Sequence, residues 1–275
     1  MPELPEVQTV VDELREHLTA SRFGERAVFL WPGTAGYPEA KSLAARLVGR
    51  HVVDVRRRAK YILIELDDGA LLVIHLRMTG NLYFARPSDT DDRYLRVRLP
   101  LSDGRELRFA DKRKFGRLYL GSEEELASVI PLRRLGPEPL DDGFTVQLLR
   151  DRLRRRHRSI KSTLLDQSVV AGLGNIYADE ALFRGGIDPR RLADSLREQE
   201  LADLHAAIGA ALREAVSDGG TSFRDYRNTS GRQGLHEAGL QVFRRHGQPC
   251  VRCGLPVQRT VVGGRGTHFC AYCQR

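Results

Sequence analysis

The amino-acid sequence predicts an α+β chain, with an antiparallel β-sandwich or barrel first, a helical region next and a small cysteine unit at the end. Three observations carry that prediction. Between residues 51 and 120, short runs alternate apolar and polar residues, at 51–56, 61–66, 70–76, 94–99, 105–109 and 117–120. From residue 145 onward the apolar residues recur instead at helical spacing. All four cysteines fall in the last 26 residues.

The elements follow in order. Val7, Val10, Val11, Leu14 and Leu18 lie at the 3.6-residue period over residues 6–18, and Pro5 is acceptable in a first helical turn. Asp68-Gly69 and Asp103-Gly104 are turn pairs between the strand-like runs, and many short strands with tight turns indicate antiparallel sheets. The segment LGPEPL at 135–140 has two prolines and a glycine and opens a linker over 135–144. Helical patterns cover 145–156, 161–166, 176–183 and 196–216. The stretch 219–234 is rich in Gly, Ser, Arg and Asn and reads as a mobile loop. There is no internal repeat and no low-complexity tract.

At 275 residues the chain exceeds one ordinary domain, and 41% apolar residues suffice for a proper core. No window approaches the apolar length of a membrane span. The opening MPELPEVQTV lacks both a basic and an apolar signal region, so the expected address is the cytoplasm, associated with the nucleoid. The 44 Lys and Arg against 36 acids give a formal charge of +8, which suits a polyanionic partner. Seven basic residues and one acid, Asp151, occupy the run from Arg150 to Lys161; a solvated helix face explains part of it, and a phosphate-tracking surface explains more.

Cys250-x-x-Cys253, sixteen residues, then Cys270-x-x-Cys273 has the spacing of a four-thiolate zinc site. Two knuckles each present a pair of sulfurs, and the residues between can form a hairpin that joins the pairs. One Zn2+ closed by four thiolates has no open position, so its expected role is structural. A unit of about 30 residues builds too small a core to fold alone, and metal binding supplies the missing free energy. Between the pairs, Arg265 sits on a glycine-flanked hairpin tip and is a phosphate-binding candidate.

Pro2 and Glu3 precede any element of structure, so they read either as a frayed tail or as a terminus able to carry chemistry. Initiator methionine is readily removed before proline, which leaves Pro2 as a free secondary amine. Such an α-amine titrates near pH ~7.7–8.0, so a useful fraction is neutral and nucleophilic. On a sugar C1′ it forms an iminium that keeps its charge, an electron sink that permits elimination at the adjacent carbon.

Together, Pro2-Glu3-Leu4-Pro5-Glu6-Val7, the segment Gly172-Leu173-Gly174-Asn175-Ile176-Tyr177-Ala178-Asp179-Glu180, LGPEPL and the cysteine ribbon closely resemble the formamidopyrimidine-DNA glycosylases, in order and over the whole chain. That resemblance implies an N-terminal β-sandwich catalytic domain over 1–134, a helix–two-turns–helix DNA-binding domain over 145–244 and a zinc ribbon over 245–275. It also implies a monomer acting on double-stranded DNA with damaged bases or abasic sites, and no membrane. The implied catalytic residues are Pro2 as nucleophile, Glu3 as the acid at the sugar ring oxygen, Glu6 as its support, Lys60 for proton transfer in β-elimination and Arg265 for the phosphate and δ-elimination. A base inside a duplex is reached only by flipping it out, and Met78, Arg113 and Phe115 match the trio that fills the void. Asn175, at a helix start, matches a backbone contact, and Arg156 and Lys161 match basic DNA contacts. Two positions depart from the family: Arg93, a DNA-binding candidate able to keep a phosphate contact, stands in the place of a histidine, and Gln8 replaces an acid.

The implied activity is excision of oxidised purines, such as 8-oxoguanine and formamidopyrimidines, followed by β,δ-elimination. The loop 219–234, with Thr221-Ser222-Phe223-Arg224-Asp225-Tyr226, resembles the lesion-capping loop of the purine-specific branch. One alternative is endonuclease VIII, which shares the scaffold and prefers oxidised pyrimidines. The other is a non-catalytic zinc-ribbon DNA-binding protein, which has no need of Pro2 and Glu3.

Overall fold

The computed structural model describes residues 2–223 and 226–275; Met1, Arg224 and Asp225, the last two within the expected capping loop, lie outside them. The chain forms two compact units, residues 1–133 with 218–235, and residues 134–217 with 236–275.

The first unit opens with helix α1 (Leu4–Leu18), whose Pro5 sits in the first turn where no intrahelical N–H is needed. Its apolar stripe of Val7, Val10, Val11, Leu14 and Leu18 is fully buried, each such side chain contributing about 1.5–3 kcal/mol. Strands β1 (Val28–Phe29) and β2 (Ala35–Tyr37) and helix α2 (Ala40–Leu47) follow. The meander comes next: β3 (Val52–Arg58), β4 (Tyr61–Leu66), β5 (Leu71–His75), β6 (Gly80–Ala85), β7 (Leu95–Pro100), β8 (Glu106–Asp111) and β9 (Arg117–Gly121), then the short α3 (Glu123–Ala127). One sheet has the order β1-β7-β8-β6 and the other β2-β9-β5-β4-β3. All pairings are antiparallel except β2 with β9. Leu82, Val97, Leu107 and Phe109 of the first sheet share a single core with Ile62, Ile64, Leu72 and Ile74 of the second and with the α1 stripe. That is the sandwich.

Five elements of this unit escaped the periodicity, among them the one-turn α3, which is too short to show one. β1 and β2 are too short to show a period. β6 breaks its alternation where Tyr83 and Phe84 are both half-buried. Helix α2 buries only Leu43, Ala44 and Leu47, and it is fixed by its N-cap, where Glu39 accepts the N–H groups of Lys41 and Ser42 at 2.8 and 2.9 Å.

The second unit holds α4 (Val146–Leu153), α5 (Ile160–Leu164), α6 (Asn175–Arg184) and α7 (Glu198–Ser217), then the hairpin of β10 (Gln258–Val262) and β11 (Arg265–Phe269). Thr145 caps α4 through the N–H of Leu148, and Ser159 caps α5 through that of Ser162. The segment 218–235, which follows α7 in sequence, packs with the sandwich unit. Its backbone and side chains bond to α1, as described below. Among the described residues, no helix is long and apolar enough to cross a membrane.

Candidate active site

In the sandwich unit, the site is built around the head of α1. Pro2 and Glu3 are buried, Glu3 with 3% exposure. Glu6 joins them to the loop 219–234: its Oε2 accepts the Glu3 N–H at 2.7 Å, while its Oε1 accepts the Thr221 N–H at 2.8 Å. A carboxylate carrying donors on both oxygens is fixed in orientation. Tyr226 adds its hydroxyl to the Glu6 carbonyl at 3.1 Å, and burial beside Glu6 pushes its phenol far above the ordinary range.

Lys60 lies in the two-residue turn between β3 and β4, where Ala59 adopts φ +52° and Arg57 Nη1 donates to the Ala59 carbonyl at 3.0 Å. The turn lays Lys60 down at 7% exposure. Arg57 Nε also donates to Gln8 Oε1 at 2.8 Å, so the neutral amide at position 8 still accepts from an arginine.

His75 was not singled out by sequence reasoning. It ends β5 opposite Tyr61, with ring centroids 4.6 Å apart, and is 7% exposed. Burial, then the charges of Arg77 and Lys60, hold its pKa down to about 3. Its Nδ1 accepts the Arg77 N–H at 3.0 Å. A neutral ring accepting at Nδ1 carries its proton on Nε2, which makes it a donor beside Lys60. The one hint in the sequence is its place three residues before Met78.

Met78, Arg113 and Phe115 are brought together on the surface of this unit. Arg113 Nη1 lies 2.9 Å from Met78 Sδ and its guanidinium 4.7 Å from the Phe115 ring centre, while Met78 and Phe115 are 42% and 46% exposed. Buried Asp111 organises the turn, accepting the N–H of Arg113 at 3.1 Å, that of Gly116 at 2.7 Å and the Thr79 hydroxyl. Lys114 rests over Trp31 at 4.0 Å. Arg93 is exposed and lies over the Tyr94 ring at 4.6 Å.

In the second unit, Asn175 opens α6, and its Nδ2 donates to the Gly266 carbonyl of the hairpin at 3.0 Å. The preceding turn is propped by Gln167, which accepts from Gly172 N at 3.0 Å and donates to the Leu173 carbonyl at 2.8 Å. Arg265 stands exposed at the start of β11. The hairpin tip seats on α5 at Gly263 (φ +55°), where a Cβ would fall 2.3 Å from Ser162 Oγ. A side chain there would be strained by the backbone and would displace the Ser162 hydroxyl.

Lys161, expected at the DNA, is instead fully buried. Its Nζ lies 2.6 Å from Asp179 Oδ1, 2.8 Å from Thr267 Oγ1 and 3.0 Å from the Gly266 carbonyl. Direct contact with a phosphate is at odds with that surrounding; the ammonium fastens the hairpin to α5 and α6. Asp179 Oδ2 also accepts the His268 N–H at 2.9 Å, and Glu180 accepts those of Gln241, Val242 and Phe243 at 2.9 Å each. The two acids that close the α6 motif are thus internal anchors. Part of the basic run is paired within the chain at its surface: Arg150 pairs with Glu198, Arg158 with Asp166, and Arg152 donates to the Ser168 carbonyl. Arg156 is half-buried, 3.7 Å from Asp166.

The cysteines are free of disulfides, and their sulfurs lie within 4.8 Å of one another, with Cys250 to Cys273 at 3.9 Å and Cys253 to Cys270 at 3.5 Å. A tetrahedral zinc with Zn–S bonds of about 2.3 Å spaces its sulfurs about 3.8 Å apart. The four residues fit one structural zinc ion.

Comparison with known proteins bears on the whole chain. Residues 1–118 match the formamidopyrimidine-DNA glycosylase N-terminal domain, 135–227 the formamidopyrimidine-DNA glycosylase H2TH domain, and 247–275 the zinc finger found in FPG and IleRS. A formamidopyrimidine-DNA glycosylase of Desulfitobacterium hafniense is 44% identical over 274 residues, covering 100% of both chains. That of Bacillus licheniformis is 43% identical over 276 residues, again with 100% of both covered. Among solved structures, a Lactococcus lactis FPG mutant bound to Fapy-dG containing DNA superposes with TM-score 0.93 at 35% identity, covering 100% of both chains. The MutM (FPG) protein of Thermus thermophilus gives TM-score 0.89 at 41% identity, covering 99% of this chain and 98% of its own.

Proposed function

This chain belongs to the formamidopyrimidine-DNA glycosylase family, and we propose that its strand-cutting chemistry runs through the imino nitrogen of Pro2. It is a base-excision-repair DNA glycosylase with AP lyase activity, and it carries one structural zinc ion. Its partner is damaged DNA, in keeping with relatives solved with Fapy-dG DNA and with abasic-site DNA.

The observation that carries the reading is the pairing of Glu6 with Glu3 N and Thr221 N, which holds the Pro2–Glu3 segment in one buried place. In the proposed reaction the Pro2 nitrogen attacks C1′, and the bond from C1′ to the base breaks. Glu3 delivers a proton to O4′, the sugar ring opens, and an iminium remains on Pro2. Loss of a C2′ proton then expels the 3′ phosphate, and a second elimination expels the 5′ phosphate. Lys60, held beside neutral His75, serves proton transfer, and Arg265 binds a phosphate. Met78, Arg113 and Phe115, which touch one another and stay exposed, fill the gap left by the everted nucleotide. Lys161 keeps the hairpin in place. The attachment of Thr221, Tyr226, Asn228 and Thr229 to α1, together with the likeness of this loop to a lesion-capping loop, supports oxidised purines as the bases removed.

Borohydride reduction in the presence of an abasic duplex tests the nucleophile. The expected product is a covalent protein–DNA adduct whose sequenced peptide bears the DNA at Pro2. Absence of an adduct, or attachment at Lys60, would overturn the assignment. Competition between 8-oxoguanine and thymine glycol duplexes decides the lesion class, and preference for thymine glycol would reverse it.

A further inference from the structure

The loop 219–234 is tied to α1 at two places, and only one of them lies at the catalytic head. Glu6 holds the outgoing limb through Thr221 N, with Gly220 at φ +83° and so close that a Cβ there would fall 2.9 Å from Glu6 Cγ. Glu13, seven residues further along α1, holds the returning limb. Seven residues are about two turns, so the two carboxylates lie along one face of the helix.

Glu13 accepts three hydrogen bonds from this limb. Asn228 Nδ2 donates to Oε1 at 2.5 Å, while the N–H and the hydroxyl of Thr229 donate to Oε2 at 2.7 and 2.6 Å. The donors sit in a tight turn of their own. Asn228 accepts the Arg232 N–H on its Oδ1 at 2.7 Å and the Gly231 N–H on its carbonyl at 3.0 Å. The amide of Asn228 therefore uses its oxygen for the turn and its nitrogen for Glu13. At the base, the limbs pass in backbone contact: a Cβ on Gly234 would fall 2.1 Å from the Gly220 carbonyl, and Ser222 Oγ accepts from Gly234 N at 2.9 Å. The loop is closed at its base and pinned to α1 through Thr221 on one limb and through Asn228 and Thr229 on the other.

We propose that Glu13 is a positioning residue for base excision, setting how firmly the 219–234 loop stands over a base everted toward Pro2. This rests on the reading that Pro2 attacks an oxidised purine nucleotide. A carboxylate holding three donors fixes the returning limb against α1, whose N-cap Glu3 directly follows Pro2. Without it the limb keeps only its own turn, and the loop is fastened to α1 through Glu6 and Tyr226. An abasic sugar offers no base for the loop to grip, so the lyase step is independent of this contact.

The test compares Glu13→Ala with wild type in single-turnover excision of 8-oxoguanine and in cleavage of a preformed abasic duplex. Excision is expected to fall about tenfold, slightly less than the worth of one charge-assisted hydrogen bond, while abasic cleavage stays unchanged and the melting temperature drops by no more than a few degrees. Glu13→Gln, which keeps one acceptor oxygen, should recover part of the rate. Adding Thr229→Val to Glu13→Ala should cost nothing further, since the two act as one contact. Equal excision by wild type and Glu13→Ala would overturn the proposal and leave the family reading intact. So would a parallel fall in excision, cleavage and melting temperature, which marks general destabilisation. A wild-type protein that cuts abasic DNA but removes no 8-oxoguanine would sink the oxidised-purine reading and this proposal with it.

Discussion

Lys161 and Asp179 form an ion pair of 2.6 Å in which neither side chain retains exposure to solvent, and the pair joins α5 and α6 to the β10–β11 hairpin. A charge buried at that depth is tolerated because each partner is fully engaged: Lys161 donates to two further oxygens, and Asp179 accepts a backbone N–H. Removing one partner leaves the other uncompensated. Lys161→Met is therefore expected to destabilise the protein by about 3–5 kcal/mol, and Lys161→Met with Asp179→Leu by less. Chemical denaturation of the three proteins checks this, and equal loss in single and double variants would refute it.

Any residue retained ahead of Pro2 converts the amine to an amide and removes the nucleophile. A protein carrying an uncleaved N-terminal extension should bind an abasic duplex and form no borohydride adduct. Pro2→Gly, which substitutes a primary for a secondary amine, should trap more slowly. Normal adduct yield from a blocked terminus, measured by mass spectrometry, would refute the assignment.

The wedge loop depends on Asp111. Asp111→Ala deprives the N–H groups of Arg113 and Gly116 and the Thr79 hydroxyl of their common acceptor. Excision from a duplex should fall by one to two orders of magnitude, about 1.4–2.7 kcal/mol in the barrier. Cleavage of a single-stranded abasic oligonucleotide, which has no stack to invade, should hold steady. Equal losses on both substrates would contradict the role.

His75 links stability to pH. Its native pKa of about 3 lies below the ordinary 6.5. Between those values the unfolded chain binds a proton that the native protein does not. Stability is then complete above pH 6.5 and falls as the pH drops from 6.5 toward 3, with a limiting slope of about 1.4 kcal/mol per unit from this residue. Glu and Asp residues add slopes of their own, so the comparison is with His75→Gln, whose stability profile between pH 4 and 6.5 should be flatter. Superimposable profiles would refute the assignment.

Cys253→Ser removes one of four thiolates and should release the zinc. The hairpin that presents Arg265 then loses its support, and affinity for duplex DNA should fall at least tenfold, more than ~1.4 kcal/mol. Metal analysis and a binding titration at fixed salt check both parts. Retained zinc with unchanged affinity would count against it.

The candidate site shows where local pattern suffices. Cys250, Cys253, Cys270 and Cys273 bind through spacing alone, because two residues between thiols set a knuckle whatever surrounds it. The stripe of α1 and six of the seven strands of the meander, all but β6, were legible for a similar reason: a period of 3.6 or 2 records which face meets the core. Met78, Arg113 and Phe115 needed the family resemblance, since an isolated Met or Phe reads as core.

By itself, the sequence determined the order of sandwich, helices and ribbon and the zinc site, and it raised Pro2 as the proposed nucleophile, each from a few residues of chain. Only the tertiary structure decided that Lys161 faces inward, that His75 is held neutral beside Lys60, and that Glu6 and Glu13 fasten a loop more than 200 residues away. The reason is physical. The state of a charged or polar side chain depends on the groups that replace its water, and those groups come from distant segments that no local period records.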